Sequence, residues 1–281
     1  MFLLRPRDEG WVIDGTVGMG GHAEAMLEAT ADGVRLLGLD VDPEALARAG
    51  VRLARFGDRA RLVHASFREL APAAARERVA EARTILLDLG VSSYQLDESG
   101  RGFTFQADEP LDMRLDSTRG ETGAALLGRL REAEIARLLA EYGEERHARR
   151  IARQIVRRRP LRTTSDLVGA VKAGVPRAAW PKRLHVATRT FQAVRMAVND
   201  EPGALRQGLP HGTGLLAVGG RLGVISFHSG EDRIVKQTFR SLAAAGFAEV
   251  EPSPLTPGDD EVRANPRARS AKLRVLERLA R

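Results

Sequence analysis

The 281-residue sequence has no cysteine, two tryptophans and two tyrosines. Without cysteine there is no disulfide framework, no thiolate nucleophile and no thiolate-ligated zinc or iron–sulfur site. No metal centre is expected. No apolar run approaches the roughly 18 residues of a membrane span, and the first ten residues lack the apolar core of a secretory signal. A cytoplasmic protein is expected. Lysine is scarce too, with only Lys172, Lys182, Lys236 and Lys272 among 44 basic residues. The rest are arginine, whose planar fork suits phosphate.

The net charge of +7 is unevenly spread. Residues 103–201 carry 19 basic and 13 acidic groups, and residues 262–281 carry seven and one. Residues 1–102 and 202–261 are net acidic. Short apolar runs at 11–14, 34–39, 60–64, 84–87 and 220–226 alternate with helical patterns. Runs of this kind predict βα units and a parallel sheet covered on both faces. About 130 residues separate the fourth run from the fifth, too many for a loop in a compact domain. Residues 121–183 are mostly helical in pattern, as in Leu126, Leu127, Leu130, Ile135, Leu138 and Leu139. The sequence therefore predicts an α/β fold with a mostly parallel sheet from residues 1–102 and 202–281, and an inserted basic helical domain at 103–201. Residues 252–261 read as a turn-rich linker.

Three runs end in an acid. Asp14 is followed by a turn containing Gly15, Gly18, Gly20 and Gly21 that opens a helix. Such glycines allow a tight turn and close approach to a ligand. The spacing is not that of a dinucleotide loop, and no Walker lysine follows. Asp40 ends the second run about 20 residues beyond the loop, where an acid accepts both hydroxyls of a ribose. The alternative is a helix cap, a role open also to Asp42 before Pro43. Asp88 ends the fourth run, where it can bond an adenine amine or a substrate amine. The loop and Asp40 together favour an adenosine-containing cofactor.

These motifs recur in one order: Asp14-Gly-Thr-x-Gly-x-Gly-Gly-His22, Gly38-x-Asp-x-Asp42, Asp88-Leu-Gly-Val-Ser-Ser-x-Gln-Leu-Asp97, Arg101-Gly-Phe-Thr-Phe105 and Leu111-Asp-Met-Arg-Leu-Asp116. Then follow Tyr142-Gly-Glu-Glu-Arg146, Thr188-Arg-Thr-Phe-Gln192, Val224-Ile-Ser-Phe-His-Ser229 with Glu231-Asp-Arg233, and Asn265-Pro-Arg-x-Arg-Ser-Ala-Lys-Leu-Arg274. Together they closely resemble the 16S rRNA (cytosine-N4)-methyltransferase family (RsmH, also called MraW), from about residue 12 to 278. The resemblance implies a class I, Rossmann-like methyltransferase that uses S-adenosylmethionine. The implied substrate is a cytidine in the decoding region of small-subunit ribosomal RNA, free or in the 30S subunit, methylated at its exocyclic N4. It implies that Gly20, Gly21 and His22 border the methionine part of the cofactor, with Gly18 in the same loop. It also implies that Asp40 holds the ribose, that Phe67 lies at the adenine, and that Asp88 and Gln95 complete the pocket. The chain departs from the family at Gly230 and Pro202, where leucine is usual, and at its start, where a His-x-Pro-Val-Leu segment is usual.

Methylating a cytosine amine needs an acceptor that turns the N4 lone pair toward the methyl group. The candidates are Asp88, Ser92, Asp112 and His228, unranked. Each has a structural alternative: an Asx or Ser turn for Asp88 and Ser92, a helix cap for Asp112, a bonded histidine for His228. Residues 146–162 hold eight arginines and no acid. Arg149, Arg150, Arg153 and Arg157 are the expected RNA contacts, with Arg267, Arg269 and Lys272 of the tail as a second set. With so few aromatics, backbone and shape contacts are expected rather than a stacking platform. Two other readings remain: a nicotinamide-dependent dehydrogenase, disfavoured by the glycine spacing, and a non-catalytic rRNA-binding assembly factor.

Overall fold

Apolar runs too short for helices build the sheet. The computed structural model describes Leu4, residues 9–182 and residues 184–280. Five strands, β1 (Glu9–Asp14), β2 (Gly33–Asp40), β3 (Ala60–His64), β4 (Ala82–Asp88) and β5 (Leu216–Ser226), run parallel. Their order is β3-β2-β1-β4-β5. Two further strands, β6 (Phe247–Glu249) and β7 (Lys272–Arg278), extend the sheet in the order β5-β7-β6 through antiparallel ladders. Neighbouring strand residues face opposite cores. Ile13, Leu37 and Leu87 pack into one buried cluster, and Val12, Leu36 and Leu86 into the other. Both faces are buried, which is why the runs lack a polar alternation.

Helices α1 (Gly21–Glu28), α2 (Pro43–Leu53) and α3 (Leu70–Arg76) connect the first four strands. The chain divides into two compact units, Met1–Gly90 with Pro202–Arg281, and Val91–Glu201. The pattern of the sequence predicts this boundary at 102/103; the structure puts it at Gly90/Val91, directly after the end of β4. The second unit contains α4 (Ser93–Asp97), α5 (Gly123–Arg129), α6 (Glu132–Gly143), α7 (Ala148–Arg157), α8 (Thr164–Gly174) and α9 (Thr188–Val198). Its own core includes Leu127, Ile135, Leu139, Ile151, Ile155 and Phe191. The chain then returns through α10 (Glu201–Leu215), α11 (Ser229–Leu242) and α12 (Asp259–Ala264). Pro202 sits in the first turn of α10, where a missing N–H costs nothing. The segment that reads as a linker ends in α12.

Candidate cofactor site

The acids Asp14, Asp40 and Asp88 close β1, β2 and β4. These are the carboxyl ends of parallel neighbours, where ligands of such sheets bind. The turn after β1 is shaped by glycine. Gly20, the residue before α1, has φ +85°, a left-handed conformation that costs other residues energy. At Gly15 a Cβ would overlap the Leu87 side chain and stand 3.2 Å from Cβ of Phe67.

Asp40 holds this turn. Its Oδ2 accepts the Gly18 N–H at 2.7 Å and its Oδ1 the Asp42 N–H at 2.9 Å. Burial raises its pKa, and those N–H donors partly offset the rise. The capping role belongs to Asp42, which accepts the Glu44 N–H at 3.1 Å at the start of α2. Asp40 is thus left at the strand end with its carboxylate fixed from two sides.

Thr16, a fixed position of the first motif to which no role is assigned from sequence, ties the turn to β4. Its N–H donates to Asp14 Oδ1 at 3.1 Å, and its hydroxyl oxygen accepts the Asp88 N–H at 2.7 Å. Asp88 Oδ2 lies 3.4 Å from His22 Nε2. That hydrogen bond raises the His22 pKa, with burial opposing. Asp14 is 1% exposed. Burial pushes its carboxyl up to about 7, against the pull of His22 and of the Thr16 N–H. Two buried carboxylate oxygens, Asp14 Oδ2 and Asp88 Oδ1, have no hydrogen-bond partner among the described residues. Buried polar atoms are rarely left so, and a pair of orphaned acceptors beside a glycine turn fits a ligand bearing N–H or O–H donors.

Phe67 begins a 3-10 turn after β3 whose first N–H groups are capped by Ser66, through Arg68 at 3.2 Å. Its ring is half-buried against the core. A Cβ at Gly208 of α10 would stand 2.5 Å from Phe67 Cδ2, so that glycine provides the seat for the ring.

The other expected residues are held by partners of their own. In the first unit, His228 caps α11: its Nδ1 accepts the Glu231 N–H at 3.3 Å. The Glu231 carboxylate lies 2.8 Å from Nε2. In the second unit, Ser92 Oγ accepts the Gln95 N–H at 3.2 Å, and Gln95 Oε1 accepts the Ser92 N–H at 2.8 Å. This is a reciprocal cap of α4. Asp112 grips Arg114 with both oxygens, at 2.7 and 2.8 Å. Burial raises the Asp112 carboxyl, but the Arg114 hydrogen bonds and the charges of Arg114 and Arg101 outweigh it and leave its pKa low.

On α7 the residues Ala148, Ile151, Ala152 and Ile155 are buried, and Arg149, Arg150, Arg153 and Arg157 are exposed. Arg153 lies 3.6 Å from Glu132. In the tail, Arg267 and Arg269 are exposed on a 3-10 turn, Pro266–Ser270. Lys272 donates to Asp232 Oδ2 at 3.2 Å.

Residues 1–279 match the MraW methylase family. The chain is 48% identical to the ribosomal RNA small subunit methyltransferase H of Geobacter sp. (strain M21), over 98% of this chain and 95% of that protein. It is 48% identical to the protein of the same name from Heliobacterium modesticaldum, over 99% and 95%. Among solved structures, a candidate rRNA-methylase from Clostridium thermocellum superposes with a TM-score of 0.51 at 12% identity, covering 99% of this chain and 94% of that one. It shares the fold. None of these relatives supports the dehydrogenase or the non-catalytic reading.

Proposed function

This chain belongs to the MraW methylase family, and from that premise we propose that it transfers a methyl group from S-adenosylmethionine to the exocyclic N4 of a cytidine in the decoding region of small-subunit ribosomal RNA. The observation that carries the reading is near-half identity, over almost the full length of both chains, to relatives named for small-subunit rRNA methylation. No helix among the described residues is long and apolar enough to cross a membrane. A cytoplasmic enzyme acting on rRNA, alone or in the 30S subunit, fits these findings.

S-adenosylmethionine supplies a methyl group made electrophilic by its sulfonium. The residues present suit such a donor. The turn of Gly18, Gly20, Gly21 and His22 accommodates the methionine portion, Asp40 the ribose, and Phe67 on its Gly208 seat the adenine. Asp88 completes the set. The cytosine amine is a weak nucleophile because its lone pair is delocalised into the ring. Orientation is therefore the main service the protein renders, and it can lower a barrier by about 7–11 kcal/mol. Of the four candidate amine acceptors, Asp88 is the one with a carboxylate oxygen left unpartnered. Ser92 and His228 cap helices, and Asp112 is forked onto Arg114. We assign the N4–H acceptor to Asp88 Oδ1, with His22 holding the other oxygen. Arg149, Arg150 and Arg157 of α7 neutralise RNA phosphates, with Arg267 and Arg269 as a second set.

The test is methyl transfer from isotopically labelled S-adenosylmethionine to isolated small subunits and to naked rRNA, followed by nucleoside mass spectrometry. N4-methylcytidine is the expected product. Label appearing only in another nucleoside, or in none on either substrate, would overturn the reading. At saturating cofactor, Asp88→Ala should slow single-turnover transfer by about 100-fold or more, in the range of a lost positioned acid–base group.

A further inference from the structure

Scarce aromatics exclude base stacking only if they are scattered, and in the second unit they are gathered. Phe105 and His185 are far apart in sequence, yet their rings stack with centroids 4.5 Å apart and planes at 20°. Phe105 also meets Phe191 edge-on, at 5.4 Å and 82°, and Phe191 is buried in the helical core. His185 is exposed at the end of this column. Its Nδ1 accepts the Ala187 N–H at 3.3 Å, which fixes the ring. Partial burial, with the charge of Lys172, lowers its pKa and favours the neutral imidazole.

A second column stands eight residues earlier. The Arg177 guanidinium lies 4.1 Å over the Trp180 ring. Trp180 packs on the same core and donates from Nε1 to the Val175 carbonyl at 3.1 Å. Arg177 is exposed and has no ion-pair partner among the described residues, and the same holds for Lys172 and Lys182. Residues 167–199 contain no acid at all.

We propose that these columns are two seats for unpaired nucleobases of an RNA strand, one base stacking on the outer face of His185 and another on the outer face of Arg177. A flat neutral imidazole and a guanidinium plane both accept a base face. Lys172 and Lys182 supply charge for the neighbouring phosphates. Bases within a duplex have their faces covered, so the seats fit single-stranded or looped RNA. The inference rests on the reading that the substrate is RNA.

The experiment measures binding of the full chain to a fluorescent 12-nucleotide pyrimidine RNA, single-stranded and as a duplex, over a range of salt. His185→Ala and Arg177→Lys should each weaken single-strand binding by about tenfold, the scale of one lost base stack. The salt slope should be unchanged, because neither change removes a charge. His185→Phe should bind like the parent, since the flat face is kept. In a Trp11→Phe background, the single strand should quench Trp180. Parental affinity in both His185→Ala and Arg177→Lys overturns the proposal. So does equal loss in His185→Phe and His185→Ala, which would assign the ring a hydrogen bond, or equal binding of the duplex. Methyl transfer assayed on the same preparations keeps the two readings apart. Transfer with unaltered binding in the variants removes the seats alone; no transfer removes the activity, whatever the oligonucleotides do.

Discussion

Asp40 and Asp42 are two residues apart and perform different work. Asp42 satisfies an N–H at the start of α2, while Asp40 receives N–H groups from Gly18 and from Asp42 itself. Removing each should therefore be felt in different measurements. Asp42→Ala should cost about 1 kcal/mol of stability, the usual loss of an N-cap, read as a lower melting temperature. Asp40→Ala should weaken S-adenosylmethionine binding by about 10–100-fold, the scale of lost charged hydrogen bonds of about 1.5–3 kcal/mol, read by titration calorimetry. Unchanged affinity in Asp40→Ala would remove the ribose role. Asp14 poses a different question, because its carboxyl is raised from 3.8 to about 7. The folded chain holds that proton more tightly than the unfolded chain does. The stabilisation this gives is complete below about pH 4 and is lost as the pH rises through about 7. Above pH 7 the fold carries a buried charge with one oxygen unpartnered. Asp14→Asn should then be more stable than the parent at pH 8, by at most about 4 kcal/mol, the free energy of a carboxyl moved from 3.8 to about 7. The gain should shrink by pH 5. Melting curves of the ligand-free protein at the two pH values decide it, and an equal gain at both would assign the effect to something other than titration.

At the scale of elements, α7 shows how one helix serves two environments. Its buried residues Ile151 and Ile155 recur at the spacing of one face, and Arg149, Arg153 and Arg157 recur at four-residue intervals on another. Arg153 has Glu132 nearby; the others face solvent and can meet phosphate. Replacing Arg149, Arg150 and Arg157 together by alanine should reduce the slope of log affinity for RNA against log salt by about 2–3, near one for each phosphate no longer neutralised. An unchanged slope would place the phosphates elsewhere. The strands were legible for a related reason: a run such as Thr84-Ile-Leu-Leu87 is buried on both faces and needs no pattern to be seen. The last strand was hidden by the same logic. Lys272-Leu-Arg-Val-Leu-Glu-Arg278 reads as a basic tail, and its strand character depends on Arg274 finding Asp232 and Glu249. In the site, the glycine turn and the acids at strand ends could be read directly, because local backbone geometry demands them. The seat that Gly208 makes for Phe67, and the His185–Phe105 stack, join distant parts of the chain. No local rule announces such a meeting.

Across the whole molecule, the excess of +7 is not all available to a polyanion. Much of the tail's charge is consumed internally. Arg274, 5% exposed, donates from Nε to Asp232 at 2.7 Å and from its guanidinium to Glu249 at 2.8 Å and Ser253 at 3.1 Å. Arg221 on β5 pairs with Glu277 of β7 at 2.6 Å. These ties fasten the last strand to α11, β6 and β5, so charge here serves the closure of the sheet. Arg274→Ala should cost about 3–5 kcal/mol, because Asp232 and Glu249 would lose a buried counter-charge. Lys272, 40% exposed at its side chain, shares Asp232 at 3.2 Å, and Lys272→Ala should cost at most about 1 kcal/mol. The same two changes bear on RNA. If the tail's cations are structural, Lys272→Ala will leave the salt slope of RNA binding where it was, while the α7 replacements lower it. A slope that falls with Lys272→Ala at unchanged melting temperature would add Lys272 to Arg267 and Arg269 among the residues that meet phosphate.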